Sequence, residues 1–166
     1  MSFRAKRNTW LLFCEGGNPG VSLIREGNSL TYYMANPIQI NLVAGVIIKK
    51  DGKYLLVQEK LPKAYGLWNF PAGKVEEGDI IAHTAIKEAK EETGYDVKLL
   101  RHVGVFNSPE KICPCKHAYE AEIIGGELKF PEDEIMDAKW FSYDEIKKMK
   151  DKLRGGWVLE AIDLIK

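Results

Sequence analysis

Between Asp79 and Gly94 the apolar positions Ala82, Ala85, Ile86 and Ala89 recur three and four residues apart, the spacing of one helix face. Asp79 is the expected N-cap of this helix and Gly94 the C′ residue that ends it. Elsewhere the pattern has the period of strands. The run from Ile38 to Ile48 is apolar and β-branched, Lys50-Asp51-Gly52-Lys53 turns the chain, and Tyr54–Gln58 returns, which predicts a hairpin. Leu67-Trp68-Asn69-Phe70 reads as a strand that leads through Pro71-Ala72-Gly73 into the helix. Val97–Phe106, His117–Ile124 and Ala138–Phe141 read as further strands, with turns at Gly125-Gly126 and Pro131. Asp144–Lys150 and Trp157–Ile165 read as closing helices. This order predicts an α/β (α+β) domain, a mixed β-sheet with helices on its faces.

Residues 1–37 read as an N-terminal extension to a main domain of 38–166. The extension offers short strands at Thr9–Cys14 and Leu30–Met34 around the turn-rich Gly16-Gly17-Asn18-Pro19-Gly20. Its strands either pack on the main domain or serve a homodimer contact or a substrate pocket.

A chain of 166 residues, 45% of them apolar, is long enough for one domain with a real core. Lysine plus arginine and aspartate plus glutamate both number 24, so no global field draws in nucleic acid or an anionic membrane. An anionic substrate must then be handled locally. Three cysteines, Cys14, Cys113 and Cys115, suit a reducing interior better than a disulfide scaffold. The apolar run Trp10 to Cys14 is shorter than the roughly 7–15 residues of a signal peptide core. No stretch approaches the roughly 18 apolar residues of a membrane span, so a cytoplasmic location is expected.

The chemistry concentrates on the first helix, where Glu88, Glu91 and Glu92 stand at i, i+3 and i+4. At about 100° per residue these carboxylates share an arc of roughly 100°, beside the apolar stripe. Like charges so spaced each cost an isolated helix on the order of 0.2–0.5 kcal/mol, so helix stability does not account for them. A solvated acidic face with Lys87 and Lys90 as local partners is the plain alternative. The flanks favour a hard divalent cation, Mg²⁺ or Mn²⁺, which takes oxygen ligands. Gly73 and Gly78 precede the helix in a sharply turning loop, and a glycine lets backbone groups approach closely.

Residues 73–95 resemble a Nudix box, G-x5-E-x7-R-E-U-x-E-E-x-G-U, where U is a bulky apolar residue. Gly73 takes the first glycine, Glu88 the glutamate after the arginine position, Glu91 and Glu92 the pair, and Gly94 the last glycine. Asp79 stands where the pattern has glutamate, Lys87 where it has arginine, and Ala89 is a small residue at an apolar position. In the family the arginine and earlier glutamate support the loop and helix, so Asp79 and Lys87 take the structural-support role, with a fork that lysine does not reproduce.

The resemblance implies a Nudix-like α/β/α sandwich. It also implies metal-dependent hydrolysis of a diphosphate joining a nucleoside to another moiety, or of a related small nucleotide or cofactor diphosphate. Glu88, Glu91 and Glu92 would hold the metal, with Gly73 contributing its carbonyl. The general base is Glu88 itself or one of Glu132, Asp133 and Glu134, a loop that otherwise reads as a solvated turn.

Trp68, Phe70 and Phe106 offer stacking faces to a base, against the commoner use of strand aromatics as core. Arg101 or Lys60 offers a charge to phosphate, against plain surface. Cys113-Pro-Cys-Lys-His117 invites zinc, but extended i, i+2 neighbours lie roughly 6–7 Å apart and no fourth ligand is evident. A loop near the site's mouth is the preferred reading. The basic run from Lys147 to Arg154 reads as a solvated helix end, against the less common use of such a run to touch RNA or an anionic ligand. Pro109, 14 residues after Tyr95, sits near a proline of some ADP-ribose pyrophosphatases. Two other functions stay open. One is a ligand-sensing Nudix domain without turnover; the other is an RNA 5′-end pyrophosphohydrolase, which zero net charge disfavours.

Overall fold

The computed structural model describes residues 9–12, 21–26, 29–34, 39–107 and 112–166, with side chains from 40 onward except 112 and 113. Cys14, the turn at 16–20, Ile38 and Pro109 lie outside the described residues. The chain divides into two compact units, Met1–Gln39 and Ile40–Lys166. The first contains an antiparallel sheet of β1 (Thr9–Leu12), β2 (Val21–Glu26) and β3 (Ser29–Met34), with Val21 opposite Met34 and Thr9 opposite Glu26. The sequence pattern had not marked β2.

In the second unit, β4 (Gln39–Lys50) and β5 (Lys53–Glu59) form the expected hairpin, with Lys49 opposite Tyr54. Asp51 at φ 50° and Gly52 at φ 73° give it the left-handed turn that aspartate and glycine tolerate. Beyond the turn the two strands part. Into the gap runs a segment that pairs first with one and then with the other. β6 (Trp68–Asn69) lies on β5, Pro71 turns the chain, and β7 (Ala72–Lys74) lies on β4, with Ala44 opposite Gly73. The Val46 amide donates to the Pro71 carbonyl at 3.0 Å. The glycine loop is thus held by main-chain bonds at the place where the sheet splits.

The helix α1 (Ile81–Thr93) follows, then β8 (Tyr95–Phe106), β9 (Ile112–Gly126) and β10 (Ile135–Ser142). The order across the sheet is β10-β5-β4-β9-β8. The chain closes with α2 (Tyr143–Lys148), a 3₁₀ turn at Lys150–Lys152 and α3 (Trp157–Asp163). β9 begins well before His117, so Cys113 to His117 are strand and not a loop; the antiparallel pairing with β8 takes in Lys116 and His117.

Alternation along β4 and β5 sorts the core into two layers. Val46, Ile48 and Leu55 face α1 through Ala85 and Ala89, whereas Ile47, Leu56 and Phe70 meet Trp157, Val158 and Ile162 on the other face. The result is an α/β sandwich with a mixed sheet. Among the described residues no helix is long and apolar enough to cross a membrane.

Candidate active site

Asp79 does not cap α1. Its Oδ2 accepts from the Glu76 amide at 3.2 Å and closes the turn that holds Gly78 at φ 89°. The N-cap is Ile80, which has no capping side chain, because the aspartate is engaged one turn earlier. At the other end Gly94, at φ 74°, donates to the Lys90 carbonyl as a left-handed stop.

The buried stripe of α1 also differs from the expected one. Thr84, Ala85, Ala89 and Thr93 are buried, while Ile86 is 36% exposed. Glu88 and Glu92 stand four apart on this packed face, half-buried beside Ala85 and Ala89; Glu91 points to solvent. The three glutamates are therefore two inward groups and one rim group.

Each inward carboxylate rests on the glycine loop. A methyl group at Gly73 would overlap the Glu88 carboxyl where it lies and push that side chain aside, so the glycine leaves it room to rest on the loop. One residue earlier, the Ala72 amide donates to Glu92 Oε2 at 3.0 Å. Burial, reinforced by Glu91, Glu134 and Glu76, raises the Glu88 pKa against the opposing pull of Lys87. Burial raises Glu92 well above the ordinary carboxylate range; Glu88, Glu59 and Glu134 add to the shift and the Ala72 amide opposes it. Among the described residues no lysine or arginine forms an ion pair with Glu88, Glu91 or Glu92.

Of the three loop acids, Glu134 raises both inward glutamates electrostatically. Its carbonyl accepts from the Lys60 amide at 2.8 Å, and Lys60 Nζ donates to the Glu132 carbonyl at 2.7 Å, fastening the loop to the end of β5. Lys60 thus has a structural task. Lys87 is exposed, and no ion pair joins it to Asp79 among the described residues.

The aromatic candidates sit in the core. Trp68 is 7% exposed and packs edge-on to Phe141 at 4.8 Å; Phe70 is 1% exposed and packs edge-on to Trp157 at 5.3 Å. Neither presents a free face for stacking, because the α2–α3 layer covers them. Phe106 is partly buried, 5.9 Å from the Trp157 ring. Arg101 pairs with Glu120 at 2.7 Å and donates to the Leu164 carbonyl, tying β8 to β9 and the final turn.

On β9, Cys115 Sγ lies 4.0 Å from His117 Nε2, and His117 Nδ1 lies 3.2 Å from His102 Nε2, a partner that the local pattern did not mark. Among the described residues no three histidine, cysteine, aspartate or glutamate side chains converge as a ready-made metal cluster. That holds for Glu88, Glu91 and Glu92 as well, an all-oxygen set whose members repel one another and do not converge on one point as they stand. Their crowding, and the Gly73 cradle that accepts Glu88, fit a hard divalent ion.

Two residues near this site, Glu59 and Asn69, escaped the sequence pattern as site residues, whereas the third, Arg154, is the last residue of the basic run. Glu59, 5% exposed, accepts from Asn69 Nδ2 at 2.9 Å and forms an ion pair with Arg154. The available signal was a glutamate ending the apolar strand Tyr54–Val57, and an arginine set apart from its basic run by Leu153.

The family model of the NUDIX domain matches residues 40–160. A putative nudix hydrolase 1 of Caenorhabditis elegans is 36% identical over 131 residues, 75% of this chain and 35% of that protein. An ADP-ribose pyrophosphatase of Methanocaldococcus jannaschii is 35% identical over 107 residues, 62% of each. The chain thus spans less than two thirds of the length of either relative. Among solved structures, a NUDIX hydrolase from Nitrosomonas europaea superposes with a TM-score of 0.70 at 26% identity, covering 76% of this chain and 88% of that one.

Proposed function

Because this chain belongs to the Nudix hydrolase family, we propose that it is a divalent-metal-dependent pyrophosphohydrolase. In this reading it cleaves the diphosphate of a nucleoside diphosphate linked to a second moiety. The observation that carries the reading is the inward pair on α1, with Glu88 on Gly73 and Glu92 on the Ala72 amide, crowded by other acids and matched by no protein cation among the described residues. An arrangement so costly for the apo fold is explained when a cation completes it.

Glu88, Glu91 and Glu92 would hold Mg²⁺ or Mn²⁺, with the Gly73 carbonyl beside them. Such an ion polarises phosphoryl oxygens and lowers the pKa of a bound water. The chain itself supplies position. β7 fixes the loop against β4, α1 fixes the carboxylates against the loop, and Lys60 holds Glu134 at the rim as the candidate proton acceptor. The catalytic unit in this reading is residues 38–166, working in the cytoplasm, with 1–37 as an accessory segment.

The test is a panel of nucleotide diphosphate derivatives with Mg²⁺ or Mn²⁺, scored by which bond breaks; the name of the archaeal relative puts ADP-ribose first on it. Metal-dependent cleavage within the diphosphate supports the reading, and cleavage of no member contradicts it. A ligand sensor without turnover is the second reading. It draws on the separation of Asp79 and Lys87, which leaves the loop and helix without that ionic brace. Binding without release across the panel is its mark.

A further inference from the structure

We propose that Arg154, held by Glu59 and Asn69, is a substrate-binding residue that takes a phosphate oxygen of the diphosphate on the side away from the α1 carboxylates. The inference rests on the hydrolase reading and adds the cation which that reading lacks.

Glu59 is an acid almost wholly inside the fold, and its charge adds to the crowding of Glu92. A residue placed only for packing would be apolar here. What Glu59 does is orient its partners. Oε1 accepts from Asn69 Nδ2 at 2.9 Å, and Oε2 accepts from Arg154 Nη1. The Arg154 side chain remains 39% exposed. Guanidinium has five N–H donors in a rigid fork, and Glu59 uses one edge of it, so the outer edge is free for a second anion. The main chain fixes the arginine as well, since the Arg154 amide donates to the Trp68 carbonyl at 2.9 Å and Leu153 bridges to Trp68.

The same strand segment that carries Asn69 carries the acidic site. Ala72, which donates to Glu92, is three residues further on, a reach of at most about 11 Å even fully extended. Arg154, through its main-chain bond to Trp68, and Glu92, through its bond from Ala72, are thus tied to one short stretch of backbone, and the Glu59 charge that anchors Arg154 also acts on Glu92. Asn69 is 4% exposed and its Oδ1 has no hydrogen-bond partner among the described residues. With its amide buried, Asn69 serves the placing of Glu59 and through it Arg154.

The test is calorimetric titration of the full chain with methylenediphosphonate and Mg²⁺, a diphosphate mimic with no base, together with kcat and KM on any substrate cleaved. Arg154→Gln weakens binding by about tenfold or more, the loss of a charge-assisted contact, and raises KM with kcat less affected. Affinity equal to wild type in Arg154→Gln overturns the proposal, as does failure of the wild type to bind. Should Arg154→Gln not fold, Arg154→Lys at an unchanged melting temperature decides: weaker binding than wild type supports the fork, and equal binding overturns it. The hydrolase reading fails separately, if the wild type binds the mimic in an Arg154-dependent way yet cleaves nothing.

Discussion

The two helices α1 and α2 obey opposite rules. α2 is only six residues long and is capped at its start by side chains. Ser142 accepts from the Glu145 amide and Glu145 accepts from the Ser142 amide at 2.7 Å, a reciprocal capping box. The Ser142 amide and then its hydroxyl, both donating to the carboxylate, pull the Glu145 pKa below the ordinary carboxylate value. α1, twice as long, starts on an uncapped isoleucine and carries two carboxylates on its packed face, both pushed upward by burial and like charge. A glutamate stabilises the fold in α2 and burdens it in α1. Breaches of the local rules gather where a protein does chemistry, and here they gather on one helix.

The strongest way to sharpen the contrast is to neutralise the rim and inward acids of α1. Glu91→Gln and Glu92→Gln should each cut turnover by orders of magnitude while circular dichroism shows an intact fold, because in the proposed function each removes a charge that would hold the metal. Unimpaired turnover in either would break the contrast. Next, Gly73→Ala puts a methyl group into the Glu88 carboxyl and should lower metal affinity or activity by roughly 10–100-fold, the range for a lost supporting contact. In α2, Ser142→Ala should cost about 0.5–2 kcal/mol of stability and leave turnover unchanged, as for an N-cap.

Proton linkage separates the same two helices. The folded-state pKa of Glu92 is raised, so its contribution to metal-free stability is fully present below the ordinary glutamate value of 4.5 and is lost as pH rises through the raised value. Glu145 is depressed, so its contribution is present above 4.5 and lost as pH falls through the lowered value. Thermal melts in chelator across pH should show Glu92→Gln removing the alkaline-side loss and Glu145→Gln the acid-side one. The smallest effect belongs to Lys87→Arg, neutral or mildly activating in steady-state assays; a large loss would show that the lysine has a task of its own.

The parts of the molecule written in local spacing were legible in advance. The hairpin at Asp51-Gly52, the helix ending at Gly94 and the carboxylate trio follow from period and turn chemistry. So does the Nudix likeness, because a long motif sits in one continuous stretch. What escaped was non-local. β7 exists because β4 pairs with it, and no period in its own three residues announces it. Trp68 and Phe70 look alike as core or as stacking platforms until the α2–α3 layer is seen to cover them. Asp79 has the right type for an N-cap, but the Glu76 amide competes for its carboxylate. Glu59, Asn69 and Arg154 meet across up to 95 residues of chain, a union no window of sequence reveals.

The central claim is that the acids of α1 exist to hold a divalent cation against a diphosphate. Anomalous diffraction at the manganese edge, from crystals grown with Mn²⁺ and a non-hydrolysable nucleotide diphosphate, tests it most directly. The account predicts an anomalous peak among the carboxylates of Glu88, Glu91 and Glu92, next to the Gly73 carbonyl and touching the diphosphate. Manganese bound elsewhere, with nucleotide in place and those three side chains free of metal, would contradict it.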